Sequence, residues 1–404
     1  MAEGRQALIM VPFLDQEQCA LRSRVRSWAE KHLFSDSRTE DDIEKEAIRL
    51  LSLLGKQGFT AYVAPKRFAG ARDKVQVRDL CVTREELARG YALADTMFTI
   101  QALGSYPIVI AGSDEQKQAY LPPIAKGKAI AAFALTEPEA GSDVASLKTT
   151  AQKKGRHYFL TGVKSLISNA GIAHIYVVFA STDTAKGSKG ISAFIVEGQT
   201  AGLVLKEKTR LLSPHPVGTI SFEECRIPEA NLLGKEGEGI KIALQALDVL
   251  RCTVGAAAVG LAQRALEEAI RYSQKRQQFG RVLADFQGIQ FKLAEMATEL
   301  EASRLLVYQA AWMHDQSIGE LKQKSSMAKL FATEAAQRII DQALQIHGGM
   351  GLVAGSITER LYRDVRALRI YEGTSEIQKL IIARSLLEKA TGGRQQATRK
   401  RRGK

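Results

Sequence analysis

The chain has 404 residues, which is more than one hydrophobic core usually holds, so two or three domains are expected. Its 45% hydrophobic and 25% charged residues are typical of a soluble globular protein, and no apolar run reaches the roughly 18 residues that span a bilayer. The N-terminus lacks the basic-then-apolar order of a secretory signal, and four widely spaced cysteines predict free thiols in a reducing compartment. The composition therefore favours a cytoplasmic protein without a metal centre or a membrane partner.

A net charge of +13 raises the question of an anionic partner. Part of this excess lies in the last residues of the chain, namely Arg394, Arg399, Lys400, Arg401, Arg402 and Lys404. The basic, apolar-poor segment 391–404 is typical of a disordered, solvated tail, with a nucleic-acid-binding arm as the alternative. Basic residues elsewhere in the chain equally suit a polyphosphate cofactor.

Three blocks of different pattern follow one another along the chain. Up to about residue 125, apolar residues recur at helical spacing, as in the run from Ile43 to Leu54. From 126 to 235, short β-rich runs separated by Gly and polar turns predict a small antiparallel barrel or sandwich. After the Gly-rich stretch 234–239, helical spacing returns as far as about 390 and indicates a four-helix bundle. The predicted fold class is α+β, mainly α, with domains at 1–125, 126–235 and 236–390.

The most informative motif is Tyr371-Glu372-Gly373-Thr374-Ser375-Glu376. An aromatic ring on one side of Glu372 and a glycine on the other can place its carboxylate on a tight, partly dry turn. Burial raises the pKa of a carboxylate towards the range of a general base, and glycine lets a ligand approach closely. Taken alone, the pattern is far more often that of an ordinary turn.

Two further segments offer polar groups at the ends of predicted strands. The run from Phe133 to Asp143 leaves a strand and enters a Gly/Ser turn whose backbone N–H groups and hydroxyls suit an anionic or heteroaromatic ligand. The run from Lys164 to Asn169 is a strand with a hydroxyl at Ser168, followed by a turn. Each segment by itself also fits a purely structural role.

The helical C-terminal block carries a third group of polar motifs. Arg276-Gln277-Gln278-Phe279-Gly280-Arg281 interrupts the helical pattern, and a guanidinium beside an aromatic ring suits a phosphate next to a stacked base, although a basic helix end with a Gly stop explains it equally well. Asp248 and Arg251 share a helix face at i, i+3, so a surface ion pair is the default expectation.

Together, in this order and on an α-β-α background, these segments resemble the acyl-CoA dehydrogenase family from about residue 16 to 390. The resemblance implies a flavoprotein that binds FAD and an acyl-CoA, passes electrons to an electron-transfer flavoprotein and forms a homotetramer. It implies that Glu372 removes the α-proton of the thioester while the β-hydrogen leaves as hydride to the flavin, with the Glu372 backbone N–H helping to polarise the carbonyl. A minority branch carries its base on the helix of Asp248 and Arg251, where this chain has Leu250.

The resemblance also assigns ligand contacts, some of them across a subunit boundary. The implied FAD contacts are Phe133, Leu135, Thr136, Ser142, Leu166, Ser168, Arg276, Gln278, Phe279, Gln287, Gln345, Gly348, Gly349, Thr374 and Glu376. The implied acyl-CoA contacts are Ser142, Ser188, Asp248, Arg251 and Gly373. Leu166 stands where the family usually has Trp, Ser168 where it has Thr, and Glu139 where it has Gly.

The substrate stays open at this level. In some relatives that act on dicarboxylic thioesters, an arginine in this region binds the distal carboxylate, and Arg84 lies one position before it. The alternative for Arg84 is a surface salt bridge with Glu85 or a nearby acid. The same fold also supports an acyl-CoA oxidase or a decarboxylating or desulfinating enzyme. A nucleic-acid-binding branch of the family is the remaining alternative, although that branch carries additional C-terminal sequence.

Overall fold

The computed structural model describes residues 13–34 and 42–402, with side chains as far as residue 388. Five helices form the N-terminal block and are α1 (Gln16–His32), α2 (Ile43–Lys56), α3 (Val77–Gly90), α4 (Ala92–Ala111) and α5 (Asp114–Ala125). α1 begins at a capping box in which Asp15 accepts from the backbone of Glu17 and Gln18, so the first N–H groups of the helix are satisfied. α4 is apolar on nearly all sides and is the buried centre of this block.

A single eight-stranded sheet follows. Its strands are β1 (Ala131–Ala134), β2 (Thr150–Lys154), β3 (His157–Ser168), β4 (Ile175–Ser181), β5 (Ile191–Glu197), β6 (Leu203–Lys208), β7 (Val217–Pro228) and β8 (Leu232–Leu233). The order is β6-β7-β3-β2-β4-β5-β8, with β1 added in parallel to β4. Antiparallel pairs dominate, as the Gly-punctuated pattern predicts. β2 is too polar and β8 is too short to stand out as a strand in the sequence.

In the described part of the chain five further α-helices follow the sheet, with a small hairpin between the first two. The elements are α6 (Gly239–Lys275), β9 (Gln277–Gln278), β10 (Arg281–Val282), α7 (Gln287–Gln316), α8 (Leu321–His347), α9 (Ile357–Leu368) and α10 (Ser375–Arg402). α6, α7 and α8 pack on one another, and α8 also packs against α9 and α10. The predicted fold class, helical at both ends with a central β domain, is confirmed.

α6 is the core helix on which the two helical blocks meet. A Cβ added at Gly260 would lie 2.1 Å from the backbone oxygen of Glu85, and one at Gly255 would lie 2.7 Å from Val307. The small residues of α6 therefore let the backbones of α3 and α6 touch. This contact sets the relative position of every side chain that α3 and α6 present to the site.

α4 is tied to the sheet by a buried glutamine. The side chain of Gln101 donates to the carbonyl of Ala129 at 2.7 Å and accepts from the backbone N–H of Ala131 at 2.7 Å, as a neighbouring strand would. Gly104 sits so close that a Cβ there would lie 2.7 Å from the Cβ of Ala131. Helix α4 and the end of β1 are thereby held as two adjoining walls.

Within the described residues, α6 is also the one helix that is long and apolar enough to cross a membrane by composition. Most of its apolar stretch is buried inside the protein, as in the core helix of a soluble domain, so the composition is weak evidence for a membrane span.

The four cysteines are free thiols, and Cys81, Cys225 and Cys252 are buried.

The predicted domain boundaries fall in the connections between α5 and β1 and between β8 and α6. The structure continues α10 as far as Arg402, so the backbone of 391–402 is helical where the sequence predicted a disordered tail. The side chains of this segment lie outside the described residues, so their solvated state stays a prediction. The same holds for the nucleic-acid-binding arm that its basic residues suggested.

We expect Gly260→Ala to lower the free energy of unfolding by about 1–3 kcal/mol, because the added methyl group would force the backbones of α3 and α6 apart. Urea unfolding followed by circular dichroism measures the change. Gly288→Ala is the matched control, since a Cβ there meets nothing within 4 Å in the first turn of α7. Equal unfolding midpoints for the two variants would contradict the proposed close approach.

Candidate active site

Glu372 lies on the short turn that joins α9 to α10. Its φ is +53° and that of Gly373 is +95°, so two successive residues adopt the left-handed region, which is uncommon for a glutamate. A Cβ at position 373 would lie 2.6 Å from the side-chain nitrogen of Gln378, which explains the glycine. The tight turn predicted from the sequence is confirmed, and the strained backbone marks it as a functional position.

A buried lysine stabilises this turn through a hydrogen bond to its backbone. Lys329, fully buried in the middle of α8, donates from Nζ to the carbonyl of Gly373 at 2.9 Å. Gln378 Nε2 donates to the same oxygen at 2.9 Å. Sequence reasoning missed Lys329, although a lysine inside the apolar run Met327-Ala328-Lys329-Leu330-Phe331 is a recognisable signal, because a buried ammonium needs a partner.

The Glu372 carboxylate is buried without a full set of hydrogen bonds. Its Oε2 has no hydrogen-bond partner among the described residues. Burial raises the pKa of Glu372 to about 7, although the positive charges of Arg84, Lys329 and Arg251 act in the opposite direction. A carboxylate with this pKa can take up and release a proton near neutral pH.

The carboxylate opens onto a cavity of about 410 Å³. Residues of α3, α4, α6, α9 and α10, the ends of β1 and β3, and the turn at Glu372 line it. The sequence-predicted residues that it brings together are Phe133, Leu135, Thr136, Ser142, Leu166, Ser168, Arg251, Glu372 and Gly373. The first and last of these residues, Phe133 and Gly373, lie more than 230 positions apart in the sequence. Folding therefore brings motifs that are distant in the sequence into one site.

Leu166 reaches this cavity through an irregularity of β3. The pairing of β3 with β7 shifts register between Lys164 and Ile167, and Leu166 has a φ of +54°. Bulges re-aim side chains in this way next to active sites. Leu166 is consequently 57% exposed while lining the cavity, so it offers an apolar face to a ligand.

Beside Leu166 runs a chain of hydrogen bonds that the sequence did not reveal. Ser168 Oγ lies 3.1 Å from Nε2 of His215, whose Nδ1 lies 3.0 Å from the carbonyl of Ser213, and Ser213 Oγ donates to Asp364 at 3.0 Å. Burial lowers the pKa of His215, so the neutral ring donates from Nδ1 and accepts from Ser168. All four side chains line the cavity.

Arg84 forms a salt bridge with a nearby acid, as one of the two expectations had it, but the expected surface location is wrong because the pair is buried. Its guanidinium is buried and forms a two-pronged ion pair with Asp95, at 2.8 Å from Nε to Oδ1 and 2.9 Å from Nη2 to Oδ2. It also donates to the hydroxyl of Thr253 at 2.9 Å. Packing of α3 against α4 and α6 decides this partner, and the adjacent Glu85 instead accepts from Arg22, Arg304 and Tyr308.

Asp248 and Arg251 do form the expected i, i+3 pair. Arg251 is nevertheless buried and lines the cavity, so the pair is not the surface feature that helix spacing alone suggests. Asp248 flanks the cavity without lining it. Burial lowers the pKa of Arg251, and its charge faces Glu372.

The remaining predicted contacts do not line the cavity of the single chain. Phe279 is 91% exposed on the β9–β10 hairpin. The other exposed positions are Ser188, Arg276, Gln278, Gln287, Gln345, Gly348, Gly349 and Glu376. Thr374, next to the turn, accepts from the backbone of Ile377 and so caps α10. Contacts across a subunit boundary stay a prediction for this group.

Sequence comparison decides the family. The N-terminal, middle and C-terminal domain families of acyl-CoA dehydrogenase match residues 15–128, 132–225 and 237–387. The chain belongs to the acyl-CoA dehydrogenase family. An acyl-CoA dehydrogenase of Bacillus subtilis is 43% identical over 92% of this chain and 98% of its own length. The protein is therefore an oxidoreductase of this family.

Solved structures agree with this assignment. Butyryl-CoA dehydrogenase from Megasphaera elsdenii superposes with a TM-score of 0.87 at 35% identity, covering 93% of this chain and 99% of that one. A chain from a structure described as the electron transferring flavoprotein of Acidaminococcus fermentans also has a TM-score of 0.87, at 38% identity, covering 93% and 98%.

The cofactor of this acyl-CoA dehydrogenase is FAD. The cavity fits its flavin end, because the exposed face of Leu166 and the ring of Phe133 suit a flat aromatic system, while Thr136, Ser142 and Ser168 offer hydroxyls. These residues come from the ends of β1 and β3 and the turn between β1 and β2. They are the residues that would hold the flavin.

We expect Lys329→Met to move the acid limb of the pH–kcat/KM profile to higher pH. Lys329 lowers the pKa of Glu372, so removing its positive charge raises that pKa above about 7 and leaves less of the carboxylate ionised at neutral pH. Initial rates from pH 5.5 to 9 measure the shift.

Lys379→Met is the matched control, since Lys379 is exposed and should leave the limb in place. If Lys329→Met lowered activity by the same factor at every pH, Lys329 would support only the fold of the turn. That outcome would contradict an electrostatic role.

Proposed function

We propose that this protein catalyses the α,β-dehydrogenation of a short, uncharged acyl-CoA thioester to the trans-2-enoyl-CoA, with Glu372 removing the α-proton. One observation carries the proposal: a carboxylate with an unpartnered oxygen and a raised pKa faces the cavity that fits the flavin. A general base needs an oxygen that no other donor already occupies, and Glu372 Oε2 meets this condition.

The protein residues supply the proton chemistry and the orientation. Glu372, ionised, takes the α-proton, and its backbone N–H is the group proposed to polarise the thioester carbonyl. Bound FAD would supply the hydride acceptor, so the proton taken by Glu372 and the hydride lost from the β-carbon together would account for the two hydrogens removed as the double bond forms. Ser142 and Arg251, both at the cavity wall, are the side chains proposed to orient the acyl-CoA.

Lys329 and the cavity wall are proposed to hold the Glu372 carboxylate in position and to keep it dry. The bond from Lys329 to the Gly373 carbonyl fixes the backbone on which Glu372 stands, so the carboxylate does not have to be ordered during the reaction. Apolar side chains from α4 and α6, among them Ile100, Leu103 and Leu244, exclude water around it. A dry site preserves the pKa near neutrality on which the proton transfer depends.

A substrate with a distal carboxylate is disfavoured by the Arg84–Asp95 pair. An arginine can bind an anionic acyl tail only if its charge is free, whereas two hydrogen bonds to Asp95 neutralise Arg84. The side chain of the pair that lines the cavity is the carboxylate of Asp95, which repels an anion. The decarboxylating or desulfinating alternative therefore gains no support from this pair. Structural similarity does not choose between the two, because butyryl-CoA dehydrogenase and a glutaryl-CoA dehydrogenase both superpose with a TM-score of 0.87.

We extend the proposal to partners and assembly. Electron-transfer flavoprotein is the proposed electron acceptor, supported by the solved chain from the Acidaminococcus fermentans structure. A homotetramer is the proposed assembly. The exposed ring of Phe279 on the β9–β10 hairpin and the exposed side chains of Met350 and Leu352 after α8 support partner surfaces. A cytoplasmic location is proposed from composition alone.

We expect Glu372→Gln to slow anaerobic reduction of bound FAD by a short-chain acyl-CoA at least about 100-fold, because general-base catalysis contributes roughly 100- to 10,000-fold. Bleaching of the oxidised flavin band, followed after mixing with butyryl-CoA, measures the rate. The variant should still bind FAD, since Glu372 is not among the residues proposed to hold the flavin.

Glu207→Gln, on the exposed face of β6, removes a carboxylate far from the turn and should reduce FAD at the unaltered rate. If Glu372→Gln and this control bleached the flavin equally fast, another base would have to be sought. If neither the wild type nor the control were bleached by any acyl-CoA, the proposed reaction itself would be wrong.

We expect glutaryl-CoA, with its distal carboxylate, to be used at least about tenfold less efficiently than pentanoyl-CoA. Desolvating a carboxylate next to the neutralised Arg84–Asp95 pair carries a cost that no free cation offsets. The ratio of kcat/KM values for the two thioesters measures this. A glutaryl-CoA preference would show that Arg84 exchanges Asp95 for the substrate.

A further inference from the structure

One face of α4 lines the cavity with polar as well as apolar residues. Asp95, Thr96 and Thr99 follow one another along this face, ahead of Ile100 and Leu103. Residues three and four apart on a helix are neighbours, so Asp95 and Thr99 lie one turn apart on the same wall. A purely apolar acyl chain would form no hydrogen bond with the Asp95 carboxylate or the Thr99 hydroxyl.

Asp95 offers acceptor capacity without net charge. Its oxygens each accept one hydrogen bond from Arg84, and each carboxylate oxygen retains a further lone pair. The pair is held in place by the bond from Arg84 to Thr253 on α6. Since a buried ion pair is neutral as a unit, an uncharged donor from a ligand meets Asp95 without adding a charge to the interior.

Thr99 adds a hydroxyl that nothing in the described part of the chain satisfies. The side chain is 4% exposed, and its Oγ1 has no hydrogen-bond partner among the described residues. Thr96, three residues earlier on the same wall, donates instead to the carbonyl of Ala92 at 3.0 Å. A buried hydroxyl without a partner is destabilising, so its presence in a ligand cavity points to a ligand group that pairs with it.

We propose that Asp95 and Thr99 form a polar subsite for the acyl tail, and that the protein acts on acyl-CoA thioesters whose tail carries an uncharged hydrogen-bonding group such as a hydroxyl. This rests on the proposed function, because it names the substrate class of the same cavity. The tail hydroxyl donates to Asp95 and accepts from the Thr99 hydroxyl. The thioester end stays at Glu372, so the subsite selects the substrate without taking part in the proton transfer.

The test uses pairs of thioesters that differ only in a terminal methyl or hydroxyl group. Pentanoyl-CoA is compared with 4-hydroxybutanoyl-CoA, and hexanoyl-CoA with 5-hydroxypentanoyl-CoA, so that two chain lengths sample the distance from Glu372. Dissociation constants are measured on FAD-loaded Glu372→Gln protein, where no turnover interferes, and kcat/KM on the FAD-loaded enzyme with otherwise native sequence.

Thr99→Val removes the hydroxyl and keeps the shape of the side chain, and Thr96→Val is its matched control, because the Thr96 hydroxyl is already bonded within its own helix. We expect the hydroxylated member of one pair to bind roughly threefold to tenfold more tightly than its methyl partner, the range of one hydrogen bond. Thr99→Val should abolish or reverse this ratio, whereas Thr96→Val should preserve it.

The proposal is overturned if the methyl partner binds more tightly in both pairs, or if Thr99→Val and Thr96→Val change the ratio equally. Its failure is distinguishable from failure of the proposed function. If pentanoyl-CoA bleaches the flavin in a Glu372-dependent manner but the hydroxyl preference is absent, only the subsite is wrong. If the hydroxyl preference is found on the Glu372→Gln protein but no thioester bleaches the flavin, the subsite stands and the reaction must be revised.

Discussion

The bond between the buried Lys329 ammonium and the Gly373 carbonyl is the contact on which the site depends. It fixes a turn in which a glutamate and a glycine both occupy the left-handed region, a conformation that needs support from outside the turn. The same ammonium is one of three cations that face Glu372. One side chain thus controls both where the carboxylate stands and how readily it holds a proton.

Glu372 shows how opposing effects of similar size produce a useful base. Burial raises the pKa of the carboxylate, whereas the positive charges of Arg84, Lys329 and Arg251 lower it. Asp95 partly cancels Arg84, so the balance falls at about 7. The cations come from α3, α8 and α6, which means that the packing of three helices sets the proton affinity.

This packing is possible because glycines let the backbones of neighbouring elements touch. Gly260 lets α6 touch α3, and Gly104 lets α4 touch β1, so the charged residues are carried to fixed positions by rigid elements. On the opposite wall, the β3 irregularity turns Leu166 out of the sheet towards the cavity. The helices therefore supply the charges and the polar subsite, and the sheet supplies the apolar and hydroxyl surface for the flavin.

The sequence by itself determined the order of helical and β blocks, the family, the turn at Glu372 and the residues at the ends of β1 and β3, because these depend on local periodicity and on short motifs. It did not reveal that Arg84 pairs with Asp95, that His215 joins Ser168, or that Lys329 reaches Gly373. Only the tertiary structure decided those partners. Each joins residues from different elements, and the choice among many nearby acids and carbonyls is made by which helices and strands can approach closely enough to bury the pair.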